Sequence, residues 1–184
     1  MKKTLLLACT LLLASCIDVM NFGIYWNRGY LEPSLVGTWD PIPVAGQDLG
    51  TLKRQRLTIK GDTYVITSYE GGIEKTDAPM VGRLLLVSHL TFLMLGGQTQ
   101  GALYRYKLEG KDVVKFYNLD KVAAQKFVAE KFPNAKNIEG GPGAGTYGAT
   151  FGIKNLDSEA LQILVAIPDN ETYWKLDASY KKAP

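Results

Sequence analysis

Alternating apolar and polar positions along the chain predict a mainly β protein. Residues 52–60 alternate, which places Leu57 and Ile59 on one face of the expected strand and Arg54 and Arg56 on the other. Glycine, proline and aspartate residues interrupt the β-branched and aromatic runs at short intervals, as is typical of antiparallel sheets. Further strands are predicted at residues 35–39 (ending at Asp40-Pro41), 63–69, 73–76, 146–153 and 171–178.

The clearest hairpin joins residues 103–108 to residues 112–117 through a turn at residues 109–111. Tyr104 and Tyr106 lie on one face of its first strand, and basic residues alternate with them on the other face. This pattern leaves two interpretations open. The two rings line a cavity, or they fill the core.

Residues 84–95 are apolar except for Ser88, His89 and Thr91. The segment is too short to cross a bilayer as a helix. Continuous apolarity favours a strand, or a pair of strands, covered on both faces. We expect the outer cover to be a helix, the aromatic N-terminal segment or a partner.

Two short helices are predicted in the second half of the chain, at residues 120–132 and 157–167. The first ends before Pro133, and the second begins at Asp157 as an N-cap and ends before Pro168. A sheet of about eight strands has to protect its unpaired edge strands, and closing the sheet into a barrel removes them most completely. The expected fold is therefore mainly β, an antiparallel up-and-down barrel or strongly curved sheet with two short helices.

The N-terminus has the features of an export signal. Lys2 and Lys3 precede an apolar run at residues 4–13, which is too short for a membrane span and is followed by small residues. Leu13-Ala14-Ser15-Cys16 resembles the lipobox of bacterial lipoproteins. The resemblance implies cleavage of residues 1–15, a diacylglycerol on the Cys16 thiol and a third acyl chain, such as palmitate, on its amine. The alternative is an ordinary signal peptide that ends in a chance cysteine.

The resemblance also implies a cellular location. An Asp directly after the cysteine tends to retain Gram-negative lipoproteins at the inner membrane, whereas here Ile17 follows Cys16. We therefore expect the periplasmic face of the outer membrane, with a Gram-positive cell surface as the alternative. Cleavage would remove Cys9 and acylation would occupy Cys16, so the mature domain would hold no disulfide.

Composition adds little to this picture of an envelope protein. The 184 residues are 46% hydrophobic and 21% charged, as in ordinary globular domains, and carry a net charge of +3. Two of the 21 basic residues, Lys2 and Lys3, belong to the signal, so the mature chain is nearly neutral. We expect no nucleic-acid partner.

Residues 16–33 are expected to form an acylated, aromatic N-terminal segment, and residues 34–184 a single β domain. The segment is too aromatic for a free tether. Its rings either pack against the domain or form a belt at the membrane interface. The rings are Phe22, Tyr25, Trp26 and Tyr30.

Gly37-Thr38-Trp39 resembles the opening of the lipocalins, in which the tryptophan closes one end of an up-and-down barrel. The chain departs from that family because it lacks a Thr-Asp-Tyr motif and has two predicted helices instead of one main helix. A lipocalin-like lipoprotein domain is the better description. An eight-stranded barrel either fills with side chains or holds one small ligand.

The sequence predicts no catalytic centre, cofactor or metal site. Residues 143–148 match a dinucleotide-binding glycine pattern but precede a strand instead of opening a helix. His89 is the only histidine, and we expect it to be a hydrogen-bonded core or rim residue. Glu70 and Glu74 lie near turns and are expected to be solvated charges.

We therefore expect a membrane-anchored envelope lipoprotein, not an enzyme, whose binding domain holds a small amphiphilic ligand. The candidate ligand-binding residues are Tyr104, Tyr106, Arg54 and Arg56; the two arginines could hold an anionic head group if they point inward, but alternation favours the outside. This hypothesis predicts an apolar cavity of several hundred Å³, about the usual size of a ligand pocket. The alternative is an interaction or structural subunit of an envelope complex, docked through an exposed apolar patch at residues 84–95.

Overall fold

The computed structural model describes residues 17–44, 52–139 and 151–184, which form a mainly β fold with short helices. Among these residues, no helix has the length and apolarity needed to cross a membrane. The strands are β1 (Ile17–Val19), β2 (Gly37–Ile42), β3 (Gln55–Lys60), β4 (Thr63–Glu70), β5 (Ile73–Val87), β6 (Leu90–Gly96), β7 (Gly101–Glu109), β8 (Val113–Leu119), β9 (Ile138–Glu139), β10 (Gly152–Ile153) and β11 (Trp174–Lys182). The helices are α1 (Ile24–Arg28), α2 (Lys121–Lys131) and α3 (Ser158–Ala166), with a 3-10 turn at Pro33–Leu35.

Eight antiparallel strands close into an up-and-down barrel. Strands β2 to β8 pair in sequence, β11 pairs with β8 and β2, and β6 also pairs with β7, so each barrel strand has two neighbours. The long connection from β8 to β11 carries α2, β9, β10 and α3. This topology confirms the predicted mainly β class, and it is consistent with the lipocalin-like fold that Gly37-Thr38-Trp39 implied.

Strand β1 lies outside the barrel and extends the sheet along β7. Ile17 pairs with Leu103, and Val19 pairs with Gly101, next to the part of β7 that pairs with β8. On its other edge β1 pairs with β10. The first described residues are therefore part of the sheet.

Two strands are longer than the pattern predicts. Strand β5 is a single strand of 15 residues, where the sequence suggested a short strand at residues 73–76 and a separate apolar one. Strand β2 continues through Asp40 and Pro41 to Ile42 instead of ending at Trp39. Because β2 pairs with β3 only over Gly37–Trp39, the missing N–H of Pro41 removes no bond from that ladder.

The last strand begins and ends later than predicted. It starts at Trp174, not at residue 171, because Asn170 closes a turn in front of it. The backbone carbonyl of Asn170 accepts hydrogen bonds from the amides of Tyr173 and Trp174. At its other end, β11 continues to Lys182, where it pairs with Trp39.

Both predicted helices are confirmed, as is the predicted Asp157 cap, and Asp120 caps the first helix as well. The Asp120 side chain accepts a hydrogen bond from the Ala123 amide at 3.0 Å at the start of α2. The Asp157 side chain accepts one from the Ala160 amide at 2.9 Å at the start of α3. Each cap satisfies an amide that the helix itself leaves unpaired. Helix α1 was not predicted.

The hairpin of β5 and β6 separates two hydrophobic cores. Leu84 and Leu93 face the barrel interior, whereas Leu85, Phe92 and Met94 belong to an outer core formed with β1, β10 and the three helices. The prediction of a strand pair covered on both faces is therefore confirmed. Most of the outer cover comes from the helices and the N-terminal segment.

The aromatic N-terminal segment packs on the barrel. Phe22 and Trp26 are buried in the outer core and contact each other, with ring centroids 5.8 Å apart. Tyr25 is partly buried against the same core, and Tyr30 bridges to Leu84 of β5. The packing interpretation is confirmed for Phe22 and Trp26.

Candidate functional site

Aromatic rings fill most of the barrel interior. Phe116 contacts three neighbouring rings, with centroid distances of 6.1 to 6.4 Å. The cavity that remains has a volume of about 40 Å³. This is close to the roughly 30 Å³ that one water molecule occupies in the liquid. The interior is therefore much smaller than the several hundred Å³ that the sequence-based hypothesis predicted. The aromatic residues are Trp39, Tyr64, Tyr104, Tyr106, Phe116 and Tyr180.

The 3-10 turn covers one end of the barrel. The Trp39 indole donates to the carbonyl of Leu35 at 2.8 Å, and Leu35 is buried above it. The Lys182 ammonium donates to the carbonyl of Ser34 at 2.7 Å and lies 5.7 Å from the centre of the Trp39 ring. Trp39 thus lies at a closed end of the barrel, as the lipocalin resemblance implied.

Tyr64 fastens the same segment from inside the barrel. Its hydroxyl donates to the backbone carbonyl of Glu32 at 2.9 Å and accepts a hydrogen bond from the Glu32 amide. Burial raises the pKa of Tyr64 to about 12. A buried hydroxyl that both donates and accepts a hydrogen bond has little desolvation cost. These two hydrogen bonds therefore stabilise the closed end of the barrel.

A polar cluster lies on β3, β8 and β11, and two of its members, Gln55 and Tyr180, line the barrel cavity. We call Gln55, Asn118, Asp177 and Tyr180 the Asp177 cluster. The Asn118 side chain lies close enough to the Asp177 carboxyl group to offset part of the rise in its pKa that burial causes, and the Gln55 side chain does the same for the Tyr180 hydroxyl. Tyr180 also interacts electrostatically with Asp177, so the four side chains form one connected group.

The position of Asp177 follows from a β-bulge. The register between β11 and β8 shifts between Leu176 and Ala178, so Asp177 is the extra residue of β11. A bulge lets neighbouring residues point to the same side, and Asp177 lies near Asn118 and Tyr180. Partial burial raises the pKa of Asp177, and burial raises that of Tyr180 to about 12.

The Asp177 cluster has more acceptors than donors. The ion pairs found among the described residues do not include Asp177. The side-chain oxygen of Asn118 is buried, and within the described part of the chain it has no hydrogen-bond partner. Such unsatisfied buried acceptors are uncommon in folded proteins and require an explanation.

Of the predicted arginines, Arg56 lies on the outer face of β3, and Arg54 directly precedes that strand. Arg54 forms a bidentate ion pair with Asp40, with nitrogen-to-oxygen distances of 2.5 and 3.1 Å, and Arg56 contacts Glu74 at 3.0 Å. Both guanidinium groups are about half exposed. The interpretation in which they point into the barrel is therefore wrong. Tyr104 and Tyr106, by contrast, lie in the interior.

A surface depression of about 480 Å³ lies near Arg54, lined by residues 52–54 and 69–72. Its charged groups are already paired, because Lys53 contacts Glu70 at 3.0 Å. Glu74, on the same outer face, also accepts a hydrogen bond from Thr67 at 2.6 Å. A ligand site needs convergent polar groups that remain available, and this depression lacks them.

His89 lies at an exposed turn instead of in the core. Ser88 and His89 form the two-residue connection between β5 and β6, and the Ser88 hydroxyl oxygen lies 3.3 Å from Nδ1 of His89. The rim alternative of the prediction is the one observed. Cys9, Cys16 and the glycine pattern at residues 143–148 lie outside the described residues.

Sequence reasoning did not find the Asp177 cluster. Asn118 and Asp177 are far apart in the chain, and a bulge leaves no trace in an alternation pattern. The available signal was an acidic residue inside an otherwise half-apolar strand, since unpaired charges are costly to bury.

Searches of family models, of curated proteins and of solved structures found no match to this chain.

Proposed function

We propose that this chain is a lipoprotein of the bacterial cell envelope whose β-barrel binds a small amphiphilic ligand without catalysing a reaction. The membrane partner would be held through acyl chains on Cys16, at the periplasmic face of the outer membrane in a Gram-negative cell. The observation that carries the proposal is the junction between the lipobox and the fold.

Ile17 directly follows Cys16 and is 1% exposed. It pairs with Leu103 of β7, so the sheet begins one residue after the proposed anchor. One residue of extended chain spans at most about 3.6 Å. Anchoring at Cys16 would therefore hold the barrel directly against the membrane surface, with no flexible tether.

Acylation at this position provides enough energy to retain the protein. Each buried methylene contributes about 0.8 kcal/mol, and stable attachment needs two or more chains. A diacylglycerol with an additional acyl chain meets that requirement. Since no span is needed, the domain itself would lie outside the bilayer.

The ligand-binding part of the proposal concerns the barrel interior. The interior offers an aromatic wall together with the polar groups of Gln55 and Tyr180, which is the combination of apolar lining and few polar groups that ligand sites use. Its volume of about 40 Å³ restricts the buried part of a ligand to a small head group. The longer apolar part of an amphiphile would remain outside this cavity.

The anchor is tested by salt and detergent extraction of bacterial membranes. The natural chain should stay in the membrane fraction in 1 M salt, about enough to screen surface charge, and dissolve in detergent. A Cys16→Ser variant should lose this behaviour, whereas the matched Cys9→Ser variant should keep it. Release of the natural chain by salt alone would contradict the anchor.

Ligand binding is tested by native mass spectrometry of the protein released from its membrane. The proposal predicts a co-purified amphiphile, lost on denaturation. Repeated recovery of the protein mass alone, together with no binding of added amphiphiles, would contradict it.

A second candidate, a structural or interaction subunit, is favoured by the nearly filled interior. The predicted docking face for this role is wrong, because Leu84, Leu85, Phe92 and Met94 are buried and Leu86 alone in that hairpin is a largely exposed leucine. The absence of any ligand, with a stable complex recovered by crosslinking in intact cells, would favour this candidate.

A further inference from the structure

We propose that the outer surface around β1, α1 and the start of α2 docks on a phospholipid bilayer that contains anionic lipids. Three exposed apolar residues and two exposed basic ones define this surface, which we call the N-terminal face. This inference rests on the proposed membrane anchor and names the part of the domain that meets the membrane. The five residues are Met20, Ile24, Val122, Arg28 and Lys126.

The start of α2 lies directly beside β1. The ammonium group of Lys121 is 3.6 Å from the carboxylate of Asp18. Both neighbours of Asp18 in β1 are buried, so Asp18 lies on the outward side of the strand, and Met20 follows it with 61% exposure. Val122 comes directly after Lys121 and is 65% exposed. One ion pair thus brings these two exposed apolar residues to the same part of the surface.

The N-terminal segment divides its apolar residues between packing and exposure. Phe22 and Trp26 are buried in the outer core, whereas Met20 and Ile24 are 61% and 59% exposed. Three of the seven exposed large apolar side chains in the described ranges therefore belong to the N-terminal face. Exposed apolar side chains that occur together are typical of a surface that meets a partner or a membrane.

Each helix of this face carries an exposed basic residue one turn after an exposed apolar one. Ile24 and Arg28 are four residues apart in α1, and Val122 and Lys126 are four residues apart in α2. Residues at that spacing lie on the same side of a helix. Long basic side chains would contact lipid phosphates while their apolar neighbours enter the lipid boundary.

The carboxylates near the face are paired with lysines. Besides the ion pair of β1, Asp120 accepts a hydrogen bond from Lys175 at 2.6 Å, and Glu130 lies 2.9 Å from the lysine that follows it. Neither Arg28 nor Lys126 takes part in the ion pairs found within the described part of the chain. The face therefore has an excess of positive charge, which attracts anionic lipid head groups.

The position of the chain start favours a membrane as the occupant. Ile17 follows the proposed anchor directly, and Met20 lies three residues further on. Three residues of extended chain span at most about 11 Å. Acyl chains on Cys16 would therefore hold the N-terminal face at the lipid head groups.

The experiment attaches a fluorescent probe to a cysteine introduced into the full chain at Met20, Ile24 or Val122. Ile59→Cys is the control, because Ile59 is also exposed and its strand β3 is four strands from β7 in either direction around the barrel. Protein from bacterial membranes is reconstituted into vesicles of phosphatidylethanolamine and phosphatidylglycerol whose acyl chains carry a quencher. Quenching at the three positions should exceed that at the control at least about threefold.

Flotation of the vesicles in about 1 M salt separates the anchor from the face. Protein that floats but is quenched equally at all four positions would keep the anchor and overturn the docking face. Protein that does not float would contradict the anchor. The docking face is then judged with Cys16→Ser chains at low salt, where quenching confined to the three positions supports it and equal or absent quenching overturns it.

A charge test checks that the lipid surface is anionic. Replacing both Arg28 and Lys126 with glutamine in the Cys16→Ser chain should lower quenching at Met20→Cys at least about twofold. The matched control replaces Lys60 and Lys111, two exposed lysines in turns of the barrel, and should change nothing. Unchanged quenching in the first variant, or equal quenching in vesicles of phosphatidylcholine alone, would overturn the choice of an anionic surface.

Discussion

The guanidinium of Arg105 lies 2.7 Å from the carboxylate of Asp169 in the outer core, although the Arg105 side chain is only 1% exposed. The central carbon of this guanidinium, Cζ, is 5.1 Å from the ring centre of Trp174 and 5.6 Å from that of Tyr117. Asp169 belongs to the turn that precedes β11 and also lies 3.6 Å from Lys107. The pair therefore fastens this turn to the wall of the barrel.

Loss of Asp169 should destabilise the protein. An Asp169→Ala substitution leaves the Arg105 guanidinium buried without its carboxylate partner, and breaking such a pair costs about 3 kcal/mol. Urea unfolding measures the loss in free energy. The control is Asp77→Ala at an exposed position, which should change little. A loss below about 0.5 kcal/mol in Asp169→Ala would show that the pair adds nothing.

The same pair predicts a pH dependence. The Arg105 guanidinium, opposed in part by burial, holds the pKa of Asp169 below its usual value of 3.8. The stability from a depressed carboxyl pKa is present above 3.8 and is lost as the pH falls through the folded-state value. The stability difference between the natural chain and Asp169→Asn should therefore shrink below pH 3.8. A difference that grows towards acid pH would contradict this assignment.

Asp177 should have the opposite effect. Partial burial raises its pKa above 3.8, so its protonated form favours folding and that benefit is lost as the pH rises through the folded-state value. Asp177→Asn should stabilise the ligand-free protein at pH 7, by less than about 1 kcal/mol because the group is partly solvated. The gain should vanish at pH values below 3.8. Chemical unfolding at several pH values measures both effects, and a destabilised variant at pH 7 would contradict the prediction.

Gly29 is required where the N-terminal segment crosses β5. A methyl group on Gly29 would lie 2.7 Å from Cε of Met94 and 2.8 Å from Cβ of Arg83. Gly29→Ala should therefore destabilise the protein by about 1–3 kcal/mol through overpacking. Gly97 is the matched control, since a methyl group there meets nothing within 4 Å. Equal unfolding midpoints for the two variants would contradict the close approach.

The turn between β5 and β6 holds a correctable strain. Ser88 has φ of 56°, a left-handed conformation that costs a non-glycine residue about 1 kcal/mol. Ser88→Gly should stabilise the hairpin by about 0.5 kcal/mol after the larger entropy of unfolded glycine is deducted. Gly61→Ser is the reciprocal test, because Gly61 has φ of 63° in a similar turn and should lose stability. Changes of the reverse sign, measured by thermal unfolding, would contradict the assigned turns.

Local chemistry explains which parts of the fold could be predicted. Asp120 and Asp157 each precede a helix and cap it. In both cases an aspartate directly before the helix determines where the helix begins. Gly110 marked the hairpin of β7 and β8 in the same way. The end of β2 could not be predicted, because Pro41 is tolerated only through a pairing pattern that the sequence does not display.

The candidate site could not be predicted because it is formed by residues that are far apart in the sequence. Alternation placed Tyr104 and Tyr106 on one face, but the size of the cavity depends on rings from several strands that meet only after closure. The same holds for Asp177, since the bulge beside Ala178 turns it towards Asn118. Alternation correctly favoured an outer position for Arg54 and Arg56, because their strand has a clear apolar face.

The most direct test of the proposed anchor is the mass of the N-terminal peptide from protein purified out of bacterial membranes. Our account predicts a peptide that begins at Cys16 and carries a diacylglycerol and an additional acyl chain. A peptide that retains residues 1–15, or that begins at an unmodified Cys16, would contradict it.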